Sequence, residues 1–243
     1  MIMQLIQNNP KIKKLFNSLN KQDEFEIMFN NFRNDNKLSL NKFVNILKYL
    51  KWRSDKDDIT LTSEDTLDII YNENYIPNTI NTSYRVSVIG NDKVNDFLKL
   101  VHLRKNHIIY SILMTQFIND DSFVFMKKVK DPIKIVDFND YDIRFRVSSE
   151  NSIDNKTIND LANIPLSQAS KIKFRYKNRI SLKLIDTKDE KLSIDLTVVK
   201  TANSPNEISS GIKSFEVEID YMNNSLKNTK ISDKSSVVVF LTP

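Results

Sequence analysis

The chain has 243 residues, 28% of them charged, and a formal net charge of +5, so it can bury a sizeable core while carrying many charges of both signs. It has no cysteine, which excludes thiolate metal sites and cysteine nucleophiles and fits a reducing, intracellular compartment. Two glycines, Gly90 and Gly211, and two histidines, His102 and His107, exclude a P-loop, a dinucleotide fingerprint and a His-rich zinc centre, so any bound phosphate must be held by side-chain cations. No stretch approaches the roughly 18 apolar residues of a membrane span, and no membrane partner is expected. Lys11, Lys13 and Lys14 follow the short apolar start, the reverse of the order in a secretory signal.

In chain order, Pro10 marks the first position of a short helix reaching Leu19. Asp23–Phe29 sets Glu24 and Glu26 against Phe25, Ile27 and Phe29, the period of two of a strand with one acidic and one apolar face. Leu40, Phe43, Val44, Leu47 and Leu50 predict an amphipathic helix over Ser39–Trp52, capped by Ser39. Leu67, Ile69 and Tyr71 fit a strand, and a helix capped by Ser63 fits nearly as well. Tyr84–Val88 alternates as a strand carrying Arg85. Val94, Phe97, Leu98 and Val101, followed by Ile108–Phe117, predict a buried helical element or hairpin. Phe123–Lys130 reads as a strand ending at Asp131-Pro132, and Tyr141–Glu150 as one with Arg144, Arg146 and Glu150 opposite Ile143, Phe145 and Val147.

The most biased segment is Lys171–Ser181. Lys171, Lys173, Arg175, Lys177 and Arg179 fall on one face, and Ile172, Phe174, Tyr176 and Ile180 on the other. A turn near Lys188-Asp189 returns the chain as Leu192–Lys200, where Asp195 and Thr197 oppose Leu196 and Val198. A second acidic strand, Ser214–Tyr221, carries Glu216, Glu218 and Asp220. Val237–Leu241 is an apolar run, and residues 224–243 read as a tail or a link to a following domain. With no repeat or linker before about Asn223, residues 1–243 read as a single domain of seven or more strands and three or four helices.

Charged faces on antiparallel strands ordinarily meet solvent. Five cations in strict alternation, two acidic strands and Arg144/Arg146 point instead to an inverted barrel. Its apolar faces would pack outward against the helices, and its charges would line a wet lumen. Acidic strands brought together repel by about 4 kcal/mol per pair at 4 Å in a semi-polar site, unless a metal ion lies between them.

Glu24-Phe-Glu26, Arg175-Tyr-Lys177-Asn-Arg179, Asp195-Leu-Thr197 and Glu216-Val-Glu218, in this order, resemble the motifs of the triphosphate tunnel metalloenzymes. The branch resembled most is that of the metal-dependent RNA triphosphatases of fungal and giant-DNA-virus (mimivirus-type) mRNA capping systems, over Gln22 to Tyr221. The resemblance implies an α+β, β-rich fold: a closed antiparallel eight-stranded tunnel with a hydrophilic lumen and helices packed outside. It implies removal of the γ-phosphate of 5′-triphosphate RNA with Mg²⁺ or Mn²⁺. Free NTP or polyphosphate turnover, and a non-catalytic single-stranded RNA binder, stand as alternatives.

By motif, Glu24, Glu26, Glu216 and Glu218 would hold the metal. Arg175, Lys177 and Arg179 would act on the triphosphate, and Glu150 would position water. Arg85, Arg144, Arg146 and Asp195 would serve phosphate binding, together with Lys127 or Lys128, between which the alternation does not choose. Asp220 stands where some relatives carry a third glutamate, and its part as a ligand is left open. The resemblance also implies a viral factory in the host cytoplasm or a virion as location. Guanylyltransferase and methyltransferase domains in the same longer chain would be the partners.

Overall fold

The computed structural model describes residues 9–20, 23–29, 38–72 and 80–223. Eight strands follow one another in antiparallel pairs: β1 (Asp23–Phe29), β2 (Leu61–Asn72), β3 (Asn81–Ile89), β4 (Phe123–Phe138), β5 (Ile143–Ser152), β6 (Ile172–Asp186), β7 (Glu190–Ala202) and β8 (Ile212–Asn223). They close into a barrel in the order β1-β5-β4-β3-β2-β6-β7-β8. Closure falls on β1, where Phe25 lies opposite Val147 of β5 on one side and Tyr221 of β8 on the other.

Five α-helices are described: α1 (Pro10–Asn17), α2 (Leu40–Asp57), α3 (Asn91–Val101), α4 (Asn106–Gln116) and α5 (Asn155–Ala162). Asn9 caps α1 by accepting from the backbone of Lys11 and Ile12, and Ser39 caps α2 by accepting from Lys42. The helix expected over Ser39–Trp52 runs a turn further, to Asp57, and stops where Asp58 turns left-handed at φ 52°.

Each strand shows its apolar face to the outside, where helices cover it. Ile12, Leu15 and Phe16 of α1 pack on Phe25, Ile27, Phe145 and Tyr221. Phe43 and Leu50 of α2 cover Leu182, Leu196 and Val217. Val94 and Phe97 of α3, with Ile109 and Leu113 of α4, cover Leu67, Ile69, Val86, Val88 and Phe174. Burying one such side chain contributes about 1.5–3 kcal/mol, so this outer shell supplies most of the driving force for folding. Tyr110 ties α4 to the wall by donating its hydroxyl to the carbonyl of Ile69 at 3.0 Å. The inverted barrel expected from the alternation is therefore the fold observed.

One open choice is settled and two local expectations are corrected. The segment Leu67–Tyr71 is the strand expected and not the helix that fitted nearly as well, because β2 is hydrogen-bonded on both sides, to β3 and β6. The strand expected to end at Asp131-Pro132 continues to Phe138, with a break in register between Lys130 and Ile135 that carries the proline through. Lys171 precedes β6 as the last residue of a 3₁₀ turn over Leu166–Lys171, so it is not part of the basic row. The short polar helix α5 was not anticipated, although Asp154 caps it. Val237–Leu241 and the whole of residues 224–243 lie outside the described residues.

Candidate active site

Alternation along the eight strands turns one side chain in two inward, and the lumen encloses a cavity of about 640 Å³. Acidic residues on β1 and β8 form one side of it: Glu24, Glu26, Glu216, Glu218 and Asp220. Basic residues line much of the wall opposite and beside them: Lys173, Arg175, Lys177 and Arg179 on β6, Arg85 on β3, Lys128 and Lys130 on β4, and Arg146 on β5.

The charges hold each other in place. Lys128 reaches Glu150 at 2.8 Å, Glu24 at 3.2 Å and Glu26 at 3.6 Å. Arg146 grips Glu26 through both Nε and Nη2, the latter at 2.6 Å. Arg85 donates to Glu150 at 2.9 Å. Lys177 lies 2.8 Å from Asp68, a fully buried β2 carboxylate that also accepts from Ser87 at 2.7 Å. Arg179 pairs with Asp195 at 3.1 Å, and Arg175 donates to both oxygens of Glu216 at 2.8 and 3.0 Å. Hydrogen-bonded pairing of this kind is what makes so many buried charges tolerable.

Compensation is uneven, and the acidic side is short of positive charge. Burial, followed by Glu26 and Glu216, pushes the Glu218 carboxyl up to about 7. Burial, Glu24 and Glu218 push Asp220 well above the usual carboxylate range. Burial raises Glu24 more than Lys128 lowers it. Burial also acts upward on Glu26, but Lys128 and Arg146 outweigh it and hold that carboxyl at about 2. On the basic side, burial with Arg146 and Lys128 draws Lys130 down to about 8.

Oxygen atoms of Glu24, Glu26 and Asp220 all lie within 4.8 Å of one another. The Oδ1 atom of Asp220 is buried and has no hydrogen-bond partner among the described residues. Clustered carboxylate oxygens are the ligands that hard divalent cations take, and the surplus negative charge here is what such an ion would neutralise. The residues present fit a divalent cation.

Of the residues expected at the site, Glu24, Glu26, Glu150, Arg175, Lys177, Arg179, Glu216, Glu218, Arg85, Lys128 and Arg146 line the cavity. Asp195 points the same way and is bound to Arg179. Asp220, whose part was open, is the third member of the tight carboxylate group, whereas Glu216 is engaged by Arg175. The choice between Lys127 and Lys128 falls to Lys128. Lys127 sits over the ring of Tyr84, which packs with the outer apolar cluster. Arg144 is outside the cavity lining and is held by Asp137 at 2.7 Å. Sequence reasoning missed Asp68 and Lys130. The alternation Val124, Met126, Lys128, Lys130 carried the signal for the second.

A closed antiparallel eight-stranded barrel, apolar outside and charged within, defines this molecule as a tunnel-fold protein. Among solved structures with this fold, the RNA triphosphatase domain of a trifunctional mimivirus mRNA capping enzyme superposes with a TM-score of 0.64 at 18% identity, over 96% of this chain and 94% of that one. The mimivirus capping enzyme triphosphatase in a triclinic crystal gives 0.62 at 17% identity over 97% and 95% of the two chains. In a monoclinic crystal it gives 0.60 at 18% over 97% and 96%. No family model and no curated protein matches the chain by sequence.

Proposed function

We propose that the chain is a metal-dependent RNA 5′-triphosphatase that removes the γ-phosphate of a nascent transcript as the first step of cap formation. The observation that carries this is the placement of the Glu24–Glu26–Asp220 oxygen cluster and the Arg85–Lys177–Arg179 group in one lumen of about 640 Å³. The fold shared with the mimivirus triphosphatase structures supports it.

Phosphoryl transfer asks a protein for positioning and charge neutralisation more than for covalent chemistry. Glu24, Glu26 and Asp220, with Glu218 beside them, would hold Mg²⁺ or Mn²⁺. Such an ion, when bound, supplies Lewis-acid polarisation of a phosphoryl oxygen. Lys177 and Arg179, aimed by Asp68 and Asp195, neutralise the other oxygens of the transferred group without having to reorganise. Arg85 adds a further donor and is fixed by Glu150. Burial acts upward on Glu150, but Lys128 and Arg85 outweigh it and keep this carboxyl ionised at neutral pH. It can therefore align a water and accept its proton. The water oxygen bonds to the γ-phosphorus as the bridge to the β-phosphate breaks, giving orthophosphate and a diphosphate end ready for guanylylation. This reading places the protein at the site of transcription in a virus-infected cell, acting before guanylyltransferase and methyltransferase activities.

The test is orthophosphate release from triphosphate-ended RNA with Mg²⁺ or Mn²⁺ and again with chelator. Metal-dependent release is expected. Its absence overturns the reading, and release from ATP with none from RNA makes the protein a nucleoside triphosphatase instead.

A further inference from the structure

Among the described residues, eight basic side chains line the cavity, and six of them lie within 4.0 Å of a carboxylate. The two others are Lys130 and Lys173. Lys173 donates at 2.5 Å to the amide oxygen of Asn203, a neutral group. Lys130 has no hydrogen bond or ion pair among the described residues. The charges acting on it are chiefly the cations Arg146 and Lys128, then Glu26 and Arg175. Glu26 is already gripped by Arg146 and Lys128.

A second loose end adjoins it. Register sets Lys130 opposite Ser148 of β5, and Ser148 opposite Glu24 of β1. Ser148 is fully buried, and its hydroxyl has no hydrogen-bond partner among the described residues. A cation among cations, beside a buried hydroxyl with nothing to bond, is a strained arrangement for the protein alone and a receptive one for an anion.

The two lysines share one end of the barrel. Lys130 pairs in register with Asn81, the first residue of β3, and Lys173 is the second residue of β6. Arg179 and Asp195 lie further along β6 and β7, away from that end. The geometry points to a second phosphate subsite, built by Lys130 with Lys173 and Arg175 and backed by the buried Ser148, that binds the phosphates on the leaving-group side of the bond being cut. It rests on the phosphohydrolase reading above and adds a polarity to it. The reacting phosphoryl group lies by Lys177 and Arg179, and the rest of the polyphosphate and the RNA trail toward the end where β3 and β6 begin.

The experiment uses the full chain and its K130A, K130Q and K130R variants, each checked for an unchanged melting profile. Binding of an imido-bridged tripolyphosphate, which resists cleavage, is compared with binding of orthophosphate by calorimetry with Mg²⁺ present. Removing one charge-assisted contact should weaken the tripolyphosphate by about tenfold in K130A and K130Q, with orthophosphate changed by less than about twofold and K130R close to the parent. With triphosphate-ended RNA, KM should rise by a similar factor while kcat holds. Equal losses for both ligands, or none, overturn the subsite. A parent protein that binds tripolyphosphate with this dependence on Lys130 but never releases phosphate keeps the subsite and removes the hydrolytic reading.

Discussion

The two faces of a single strand in this barrel obey different rules. On the outside of β1, Phe25 and Ile27 are buried against α1 by shape and area alone, and any well-fitting apolar neighbour would serve. On the inside, Glu24 and Glu26 a few ångströms away depend on particular partners, Lys128 and Arg146, placed by β4 and β5. The outer face makes the barrel stable. The inner face uses part of that stability to hold charges where water alone would not leave them. The lumen is therefore built from charges whose burial the outer shell has to offset.

Breaking the inner face at its acidic cluster should give the largest effect. Glu24→Ala is expected to lower metal-dependent phosphate release by about a hundredfold to a thousandfold, read as kcat at saturating Mn²⁺. Near-parental turnover would remove Glu24 from the metal site. Lys128→Ala leaves Glu24, Glu26 and Glu150 without their common cation and should cost about 3–5 kcal/mol in denaturant unfolding, together with activity. Phe174→Ala, fully buried on the outer face of β6, should cost about as much stability. Its folded fraction should keep the parental KM, which separates the two faces.

A subtler comparison uses pH in the metal-free protein. The Glu218 carboxyl is raised in the fold from 4.5 to about 7, so the folded state holds its proton more tightly than the unfolded chain. Its contribution is fully present below pH 4.5 and is lost as pH rises through 7. Melting in chelator should therefore show stability falling across that window, and Glu218→Gln should flatten the fall. An unchanged slope would show that the carboxylates are compensated in some other way. The smallest effect belongs to Lys127→Ala. One residue from Lys128 but on the outer face beside Tyr84, it should shift stability by less than ~0.5 kcal/mol and leave phosphate release intact.

What could be read from the sequence follows the same division. Where a strand alternates strongly, as in Glu24–Phe29, Lys173–Ile180 or Phe215–Tyr221, the pattern identifies the element and both of its faces. It also identifies the lumen, because so many charges on one face need partners. Single charges inside apolar runs stayed hidden. Asp68 sits between Leu67 and Ile69 and becomes legible only once β2 is seen to pair with β3 and β6. Lys130 shares a face with Lys128 but is the last residue of the strand as expected, and only the break in register that lets β4 continue past Asp131-Pro132 shows it to be well inside the sheet. Helix α5 is short and polar, so it gives little periodic signal.

The seam of the barrel has a consequence for how the sheet closes. β1 is the first strand in chain order, yet one of its two neighbours, β8, is the last and ends at Asn223. Without that last partner, β1 has one edge whose backbone groups are unpaired. Closing the barrel thus depends on a contact that spans almost the whole described chain, the kind that forms slowly because a long loop must be ordered first. A chain cut before β8 would be an open sheet in search of a neighbour.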